Sequence, residues 1–581
     1  MNLRRRFLSA ALPLLLLAAG LVIAQPDAEK PLPFQAGAAV VDLAPSSFPV
    51  RVNGMFTERT ADSVVDPLTA RALALADGRT TLVLCVVDSC MVPRGILDEA
   101  KAKASQATGV PVDRMLISAT HTHSAPAAMG CLGSRMDPAY AAILPGKIAE
   151  AVIAAVKNLQ PARAGWTAFD DWDHTHNRRW IRRPDKLLND PFGQPTVRAN
   201  MHPGHQSPDV TGPSGPVDPQ LSMLAVESTE GKPLALLANY SMHYQGSPML
   251  SSDYFGRFTV HIGQLLKAGP GFTAIMSQGT SGDLWSGDYS GPAKPALEYD
   301  AYAREIAERV AAAYRKIEWH TAVPLAMVET SLTLNNRIPD EARLRWAKEK
   351  QQILGYQLPQ AQADIYALEA IYLHEGPTTE FKLQALRIGD LGITGLPNEV
   401  FCLTGLKLKA RSPFPLTMNI SLANGAEGYI PPPEQHALGG YTTWPARTAK
   451  LETPAETKIT AALTTLLEKA SGKPARSPQP LGTDQAKAIM DAKPLAFWRM
   501  EQMESGAVPD AMGRHPATLE PGVALYLPGH DEKPRTAPLS RAFHFAGGRM
   551  QSAVPLGDAY SIAFWLWNGM PTDARPVTGY A

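Results

Sequence analysis

Cysteine is scarce: there are four in 581 residues, at positions 85, 90, 131 and 402. So few exclude a disulfide scaffold, and their spacing matches no structural zinc cluster. In an oxidising compartment a Cys90–Cys131 bridge is one expectation, and buried free thiols are the other. An excess of either charge is also missing, since Lys+Arg and Asp+Glu each number 55. That balance gives no electrostatic ground for nucleic acid or an anionic membrane as partner. Beyond the first two dozen residues, no stretch is expected to be long and apolar enough to span a bilayer. Proline, in contrast, is abundant at 51 residues. It excludes an all-helical bundle and predicts many ordered loops.

The chain begins with a basic "MNLRRR" and an apolar "FLSAALPLLLLAAGLVIA", with Val22 and Ala24 placed for cleavage before Gln25. Residues 1–24 therefore read as a signal peptide, with an uncleaved anchor as the other reading. Either one predicts a secreted, periplasmic or cell-surface protein.

Short apolar runs at "TLVLCVVD" and "RMLISAT" predict buried strands, separated by a helical "RGILDEAKAKASQATGV" that closes on glycine. Further helices are expected over "AYAAILPGKIAEAVIAAVKNL", "EYDAYAREIAERVAAAYRKI" and a stretch near 341–374. "QLSMLAVESTEGKPLALLANYSMH" predicts a hairpin turning near "TEGK", and "FKLQALRIGDLGITGLPNE" one turning at Gly389-Asp390. "GFTAIMSQ" and "PLTMNISLANG" add strands. Strands mixed with helices, some joined by hairpins, predict an α/β domain around a mixed sheet. From 451 to 493 a helix and a Pro/Ser/Gly-rich linker follow. From 494 to 581 short β runs with aromatics predict an all-β module that breaks off in mid-pattern.

The chemistry concentrates where strands end. "LISATHTHSAPAA" carries His121 and His123, two apart, which in a strand share a face. His243 follows "LALLANYSM", Asp283 follows "AIMSQGTSG", Glu399 follows "LGITGLPN", and Tyr429 follows "MNISLANGAEG". In α/β sheets ligands collect beyond the carboxyl ends of strands, so these distant residues could meet in one pocket. A second pair, His174 and His176 in "DWDHTHNRRW", reads as part of a loop over the mouth of that pocket. His202 and His205 read as solvated loop residues, and Asp88 as facing the pocket or fixing a turn.

Taken in order, "SATHTHS", "ANYSMH", the Ser-Gln-Gly…Gly-Asp segment, "GLPNE" and "GYIPPPE" resemble the neutral ceramidase family across residues 33–450. So do "FQAGAAVVDLAP" and "NGMFTERTADSVVDPLTARALALADG" near the start. The resemblance implies a zinc amidase that cleaves the amide of ceramide-like lipids. It implies one Zn2+ per chain, held by His121, His243, Glu399 and Tyr429, with a position left for water. It places His123 and Arg178 beside the reacting amide; Asp283 is counted with the catalytic group, where it could support a ligand from behind or simply fix a tight turn.

One departure bears on mechanism. The family reads Gly-(Asp or Asn)-x-Ser-Pro-Asn, whereas "SGDLWSGDY" puts Trp285 at the serine position. A serine nucleophile has no counterpart in register here; attack by zinc-activated water does not need one. The C-terminal module resembles the opening of a concanavalin A-like or laminin G-like jelly roll, through "AFWRME", "FHFAGGRMQ" and "SIAFWLW", in place of the family's immunoglobulin-like domain. Such a module could bring a glycan partner. Three functions stand open: a secreted zinc amidase of the ceramidase type, a related zinc hydrolase acting on another amide or ester of glycan or peptidoglycan origin, and a non-catalytic adhesion protein with a residual metal site.

Overall fold

Alternating side chains set the layers. In the strand Thr69–Ala76, Ala70, Ala72 and Ala74 enter one core, while Leu73 and Leu75 enter another on the opposite face. The strand Thr81–Val87 does the same, with Val83, Cys85 and Val87 on one side and Leu82, Leu84 and Val86 on the other. Strands buried on both faces read as unbroken apolar runs, which is why these were visible in the sequence. The structure is a computed structural model that describes residues 33–293, 298–529 and 540–567. The expected signal peptide and the last residues of the C-terminal pattern lie outside them.

The main sheet has eight strands, in the order Thr273–Gln278, Pro233–Tyr240, Gln220–Ser228, Gln160–Asp170, Gln35–Asp42, Thr69–Ala76, Thr81–Val87 and Met115–Ala119. Its halves join only through Gln35 opposite Pro161 and Ala36 opposite Gln160. So short a junction lets the sheet bend, and the edge strands Met115–Ala119 and Thr273–Gln278 come into contact. A four-stranded sheet of Leu325–Asn335, Thr378–Ile388, Leu391–Gly395 and Leu416–Ile420 shares the enclosed core through Leu386, Ile393, Met418 and Ile420.

Helices cover the remaining faces. Arg94–Thr108 and Pro138–Lys157 pack on one half of the main sheet, and Asp253–Leu265 and Tyr299–Tyr314 on the other. Contrary to the expectation from sequence, Pro138–Lys157 is long and apolar enough to cross a membrane. It buries Tyr140, Leu144, Ile148 and Val152 in the protein core, as a core helix does.

Helix Ala455–Ser471, which follows the expected boundary at 450, covers the outer face of the smaller sheet with Ile459, Leu463 and Leu467. It also holds the helix Cys402–Arg411, because Lys407 Nζ lies 3.0 and 3.1 Å from the two Glu456 oxygens, and Thr404 donates to Glu456 at 3.0 Å. The C-terminal β residues form a three-stranded and a two-stranded sheet, the latter from Val523–Pro528 and Arg541–Phe545. They bury Leu525 and Phe543 against Leu403, and Ala524 and Leu527 against Ile181 and Leu438. Among the described residues, "SIAFWLW" forms no strand.

Removing one partner of a buried ion pair leaves an uncompensated charge, at a cost of about 3–5 kcal/mol. Glu456→Ala is expected to lower the urea midpoint accordingly. Replacing Lys407 and Glu456 together by leucine is expected to recover most of the loss.

Candidate metal centre

Three chain ends are stitched together to make the site. Ser421 N donates to Gln278 O at 3.0 Å, and Ala119 N donates to Leu422 O at 3.1 Å. Together they tie the end of Leu416–Ile420 to the last strand of each half of the main sheet. Glu399–Val400 pairs in parallel with Tyr429–Ile430, which sets Glu399 opposite Tyr429. Gly282 fits beside this pair because a Cβ on it would lie 3.0 Å from the Glu399 carbonyl oxygen.

His121 follows the strand in a left-handed conformation, with φ 70°. The pleat therefore ends before it, and His121 and His123 converge through a turn rather than by strand alternation. A non-glycine residue in that region costs about 1–3 kcal/mol, which the surrounding fold must offset.

His121 Nδ1 donates to Cys90 O at 2.8 Å, and His243 Nδ1 donates to Ser281 O at 3.1 Å. Each Nε2 is then left as an acceptor, and that of His243 also takes a contact from Arg178 Nη2 at 3.2 Å. These two nitrogens lie 3.1 Å apart, and Glu399 Oε2 lies 3.3 Å from the first and 3.9 Å from the second. All three side chains are buried, and Glu399 Oε2 has no hydrogen-bond partner. Acceptors aimed at one another call for a cation. The donor set, two imidazoles and a carboxylate, suits zinc. Burial opposes the charge on Glu399, but His121, a hydrogen bond from Tyr429 and the nearby Arg178 outweigh it and hold its carboxyl below the usual range. His121, His243, Gln278, Ser281 and Glu399 line a narrow recess at the cluster.

His123 differs from both. Its Nε2 lies 3.1 Å from His121 Nε2, and its Nδ1 has no partner. No carbonyl locks its tautomer, so it is free to exchange a proton. Tyr244 stacks on it at 3.6 Å between ring centres and 15° between planes. Gly54, at φ 97°, makes room for it, since a Cβ there would lie 2.7 Å from His123 Nδ1. Arg59 donates to the His123 carbonyl. Burial pushes the His123 pKa well down, and the nearby Arg178 and Arg59 charges add to the effect.

Arg178 is fully buried, and its Nη2 lies 2.9 Å from Gly282 O, 3.2 Å from His243 Nε2 and 3.3 Å from Tyr429 Oη. Asp283 stands one layer back. It accepts from Cys402 N at 2.8 Å and Asn177 Nδ2 at 3.0 Å, and its carbonyl accepts from Arg178 N. It therefore fixes the chain on either side of the site without facing the cluster.

Other expected residues go elsewhere. Asp88 binds Thr69 N and Oγ1 at 2.8 and 2.7 Å, and burial raises its pKa to about 6. All four cysteines are buried thiols; Cys90 Sγ lies 3.8 Å from His121 Nδ1, on the far side of that ring from the cluster. His174 sits between Asp171, at 2.9 Å, and Glu305, at 3.0 Å, beside Arg309.

Several residues at the site were not legible in the sequence. His202 approaches Arg178 and stands edge-on to Trp285, with ring centres 5.1 Å apart. Trp285 also meets Tyr244 edge-on at 4.9 Å, and Tyr441 meets Tyr429 at 5.9 Å. Only Tyr244 carried a local signal, by following His243 directly.

No family model matches the chain, and no curated protein matches it. Solved structures do. Neutral ceramidase from Pseudomonas aeruginosa aligns over 84% of this chain and 84% of its own, at 14% identity and a TM-score of 0.56. A ceramidase complexed with C2 aligns over 77% of each chain, at 16% identity and a TM-score of 0.57. The fold is that of neutral ceramidase. In this ceramidase fold, the cluster of His121, His243 and Glu399 lies where three strand ends meet.

His174 ties the segment that carries Arg178 to the helix Tyr299–Tyr314. Burial opposes its charge, but Asp171 and Glu305 outweigh this and raise its pKa above 6.5. Its stabilising contribution is therefore complete below pH 6.5 and is lost as pH rises through the folded value. Wild-type melting temperature is expected to fall more steeply above that pH than the melting temperature of His174→Gln.

Proposed function

We propose that the protein is a secreted, zinc-dependent amide hydrolase that cleaves the N-acyl amide of ceramide-like lipids. The observation that carries this reading is the convergence of three buried acceptors, with His121 Nε2 3.1 Å from His243 Nε2 and 3.3 Å from Glu399 Oε2, and His243 Nε2 3.9 Å from the same oxygen. Tyr429, paired with Glu399, completes the proposed ligand set. A zinc ion held there would supply a Lewis acid for the amide carbonyl and an activated water as nucleophile.

The chain's own residues do the rest. Arg178 presents a fixed guanidinium beside His243 and Tyr429, where the acyl oxygen gains negative charge as the carbonyl is attacked. His123 accepts a proton from the attacking water and passes it to the leaving nitrogen, a role that its unlocked tautomer allows. Asp283 positions both walls through Asn177 and Cys402.

Trp285 favours a second reading, in which the same machinery works on a different amide or ester. Its indole faces His202 and Tyr244 at the position of the family serine, so it alters the shape of the pocket. A glycan-binding jelly roll in the C-terminal residues has no support in the described strands and is not needed by either reading.

Purified protein is expected to carry about one zinc per chain, to lose it in His121→Ala and His243→Ala, and to keep it in His123→Ala while losing most turnover. Full metal occupancy in both of the first two variants sinks the site. Chelator-sensitive release of a fluorogenic acid from N-acyl sphingosine, compared with N-acetylated sugars and peptides, separates the two substrate readings. Trp285→Ser is expected to shift preference among these substrates while kcat stays within about tenfold of wild type, as fits a residue outside the bond-breaking steps.

A further inference from the structure

His202 and Tyr289 come from two loops that the proposed chemistry does not use. The first loop leaves the strand Ala199–Met201 with two non-glycine residues in the left-handed region, His202 at φ 53° and Gln206 at φ 48°. It is fastened at both ends. His202 N donates to Arg178 O at 2.9 Å, and Gln206 N donates to Tyr289 O at 3.0 Å. His205 reinforces the second contact through Gly291 O at 3.3 Å. A conformation costing about 1–3 kcal/mol per residue is thus held in place over Arg178.

The hydrogen bonds run in one direction. Arg178 has only donors, so its Nη1, 3.4 Å from His202 Nε2, makes that nitrogen the acceptor. The His202 proton then sits on Nδ1, which lies 2.6 Å from Tyr289 Oη. Tyr289 oxygen accepts it, which leaves the phenol's own hydrogen to donate outward. Arg178 Nη2 already lies among Gly282 O, His243 Nε2 and Tyr429 Oη, so His202 adds a contact at the other terminal nitrogen of the guanidinium.

We infer that His202 is a positioning residue that orients Arg178 toward the acyl oxygen, and that Tyr289 is a substrate-contacting donor to an oxygen acceptor of the substrate. The inference rests on the amidase reading above and extends it to a second contact region beside Trp285. The two bonds of His202 can be separated by substitution. Glutamine keeps an acceptor near the position of Nε2 but loses the donor to Tyr289; asparagine keeps a donor near Nδ1 but loses the acceptor for Arg178.

The test measures kcat and KM on the best amide substrate, with zinc content checked for every variant. His202→Ala is expected to keep zinc and lose about 10–100-fold in kcat/KM, the usual cost of removing an orienting partner. His202→Gln is expected to recover kcat but not KM, His202→Asn to recover KM but not kcat, and Tyr289→Phe to raise KM alone. A His202→Ala variant within twofold of wild type, or glutamine and asparagine variants that behave alike, overturns the inference.

If zinc-loaded wild type hydrolyses no amide, the reaction reading fails, and binding of laurate, measured by calorimetry, decides the inference instead. His202→Ala is then expected to weaken laurate about tenfold, with recovery in His202→Gln. Unchanged affinity overturns the inference.

Discussion

Two imidazole lone pairs and a carboxylate oxygen held within 4 Å of one another are the constraint around which the rest is arranged. Left in water, such groups would turn apart or take up protons. Here each imidazole is pinned from behind by a backbone carbonyl, and the carbonyls belong to residues that are themselves held in the layers. The strained backbone at His121, the bend between Gln35–Ala36 and Gln160–Pro161, and the stitching of Ala119 and Gln278 to the chain near Leu422 all serve that convergence. None of these would be stable without the apolar core that the two sheets share.

The layers were legible in the sequence for a simple reason. Thr81–Val87, Met115–Ala119 and Thr273–Gln278 are buried on both faces, and a strand of that kind writes itself as an apolar run. Polar residues just past such runs stand out, which is how His121, His243 and Glu399 came into view. The bend in the main sheet left no such mark, because only two residue pairs make it. The share of the site that depends on it was correspondingly hidden. His202 read as a solvated loop residue, and it is an exposed one; nothing near it in the chain says that Arg178 lies underneath. Its partner Tyr289 comes from 87 positions away. His121 and His123 were brought together by the wrong argument: strand alternation stops at Ala119, and a left-handed residue does the work.

Fold and chemistry carry different weight in this chain. At 14% and 16% identity, the likeness to ceramidase structures establishes how the chain is laid out. Chemistry has to be argued from the residues themselves. The acceptor cluster argues for a metal whatever the substrate. The indole of Trp285 shapes a wall with His202 and Tyr244 and is itself no part of the acceptor cluster. Such a division lets a metal-centred reaction be kept while the molecule it acts on is exchanged.

The contact of the C-terminal strands with Leu403 has a consequence for how this chain can be altered over time. Leu403 follows Cys402, whose amide holds Asp283, and Leu525 and Phe543 cover it. A module joined by a free tether can be lost or swapped with no effect on its neighbour. This one is a wall of the room next to the acceptor cluster, so any replacement domain would have to supply an apolar cover of the same shape. The C-terminal strands and the cluster are therefore expected to be inherited together, as one unit.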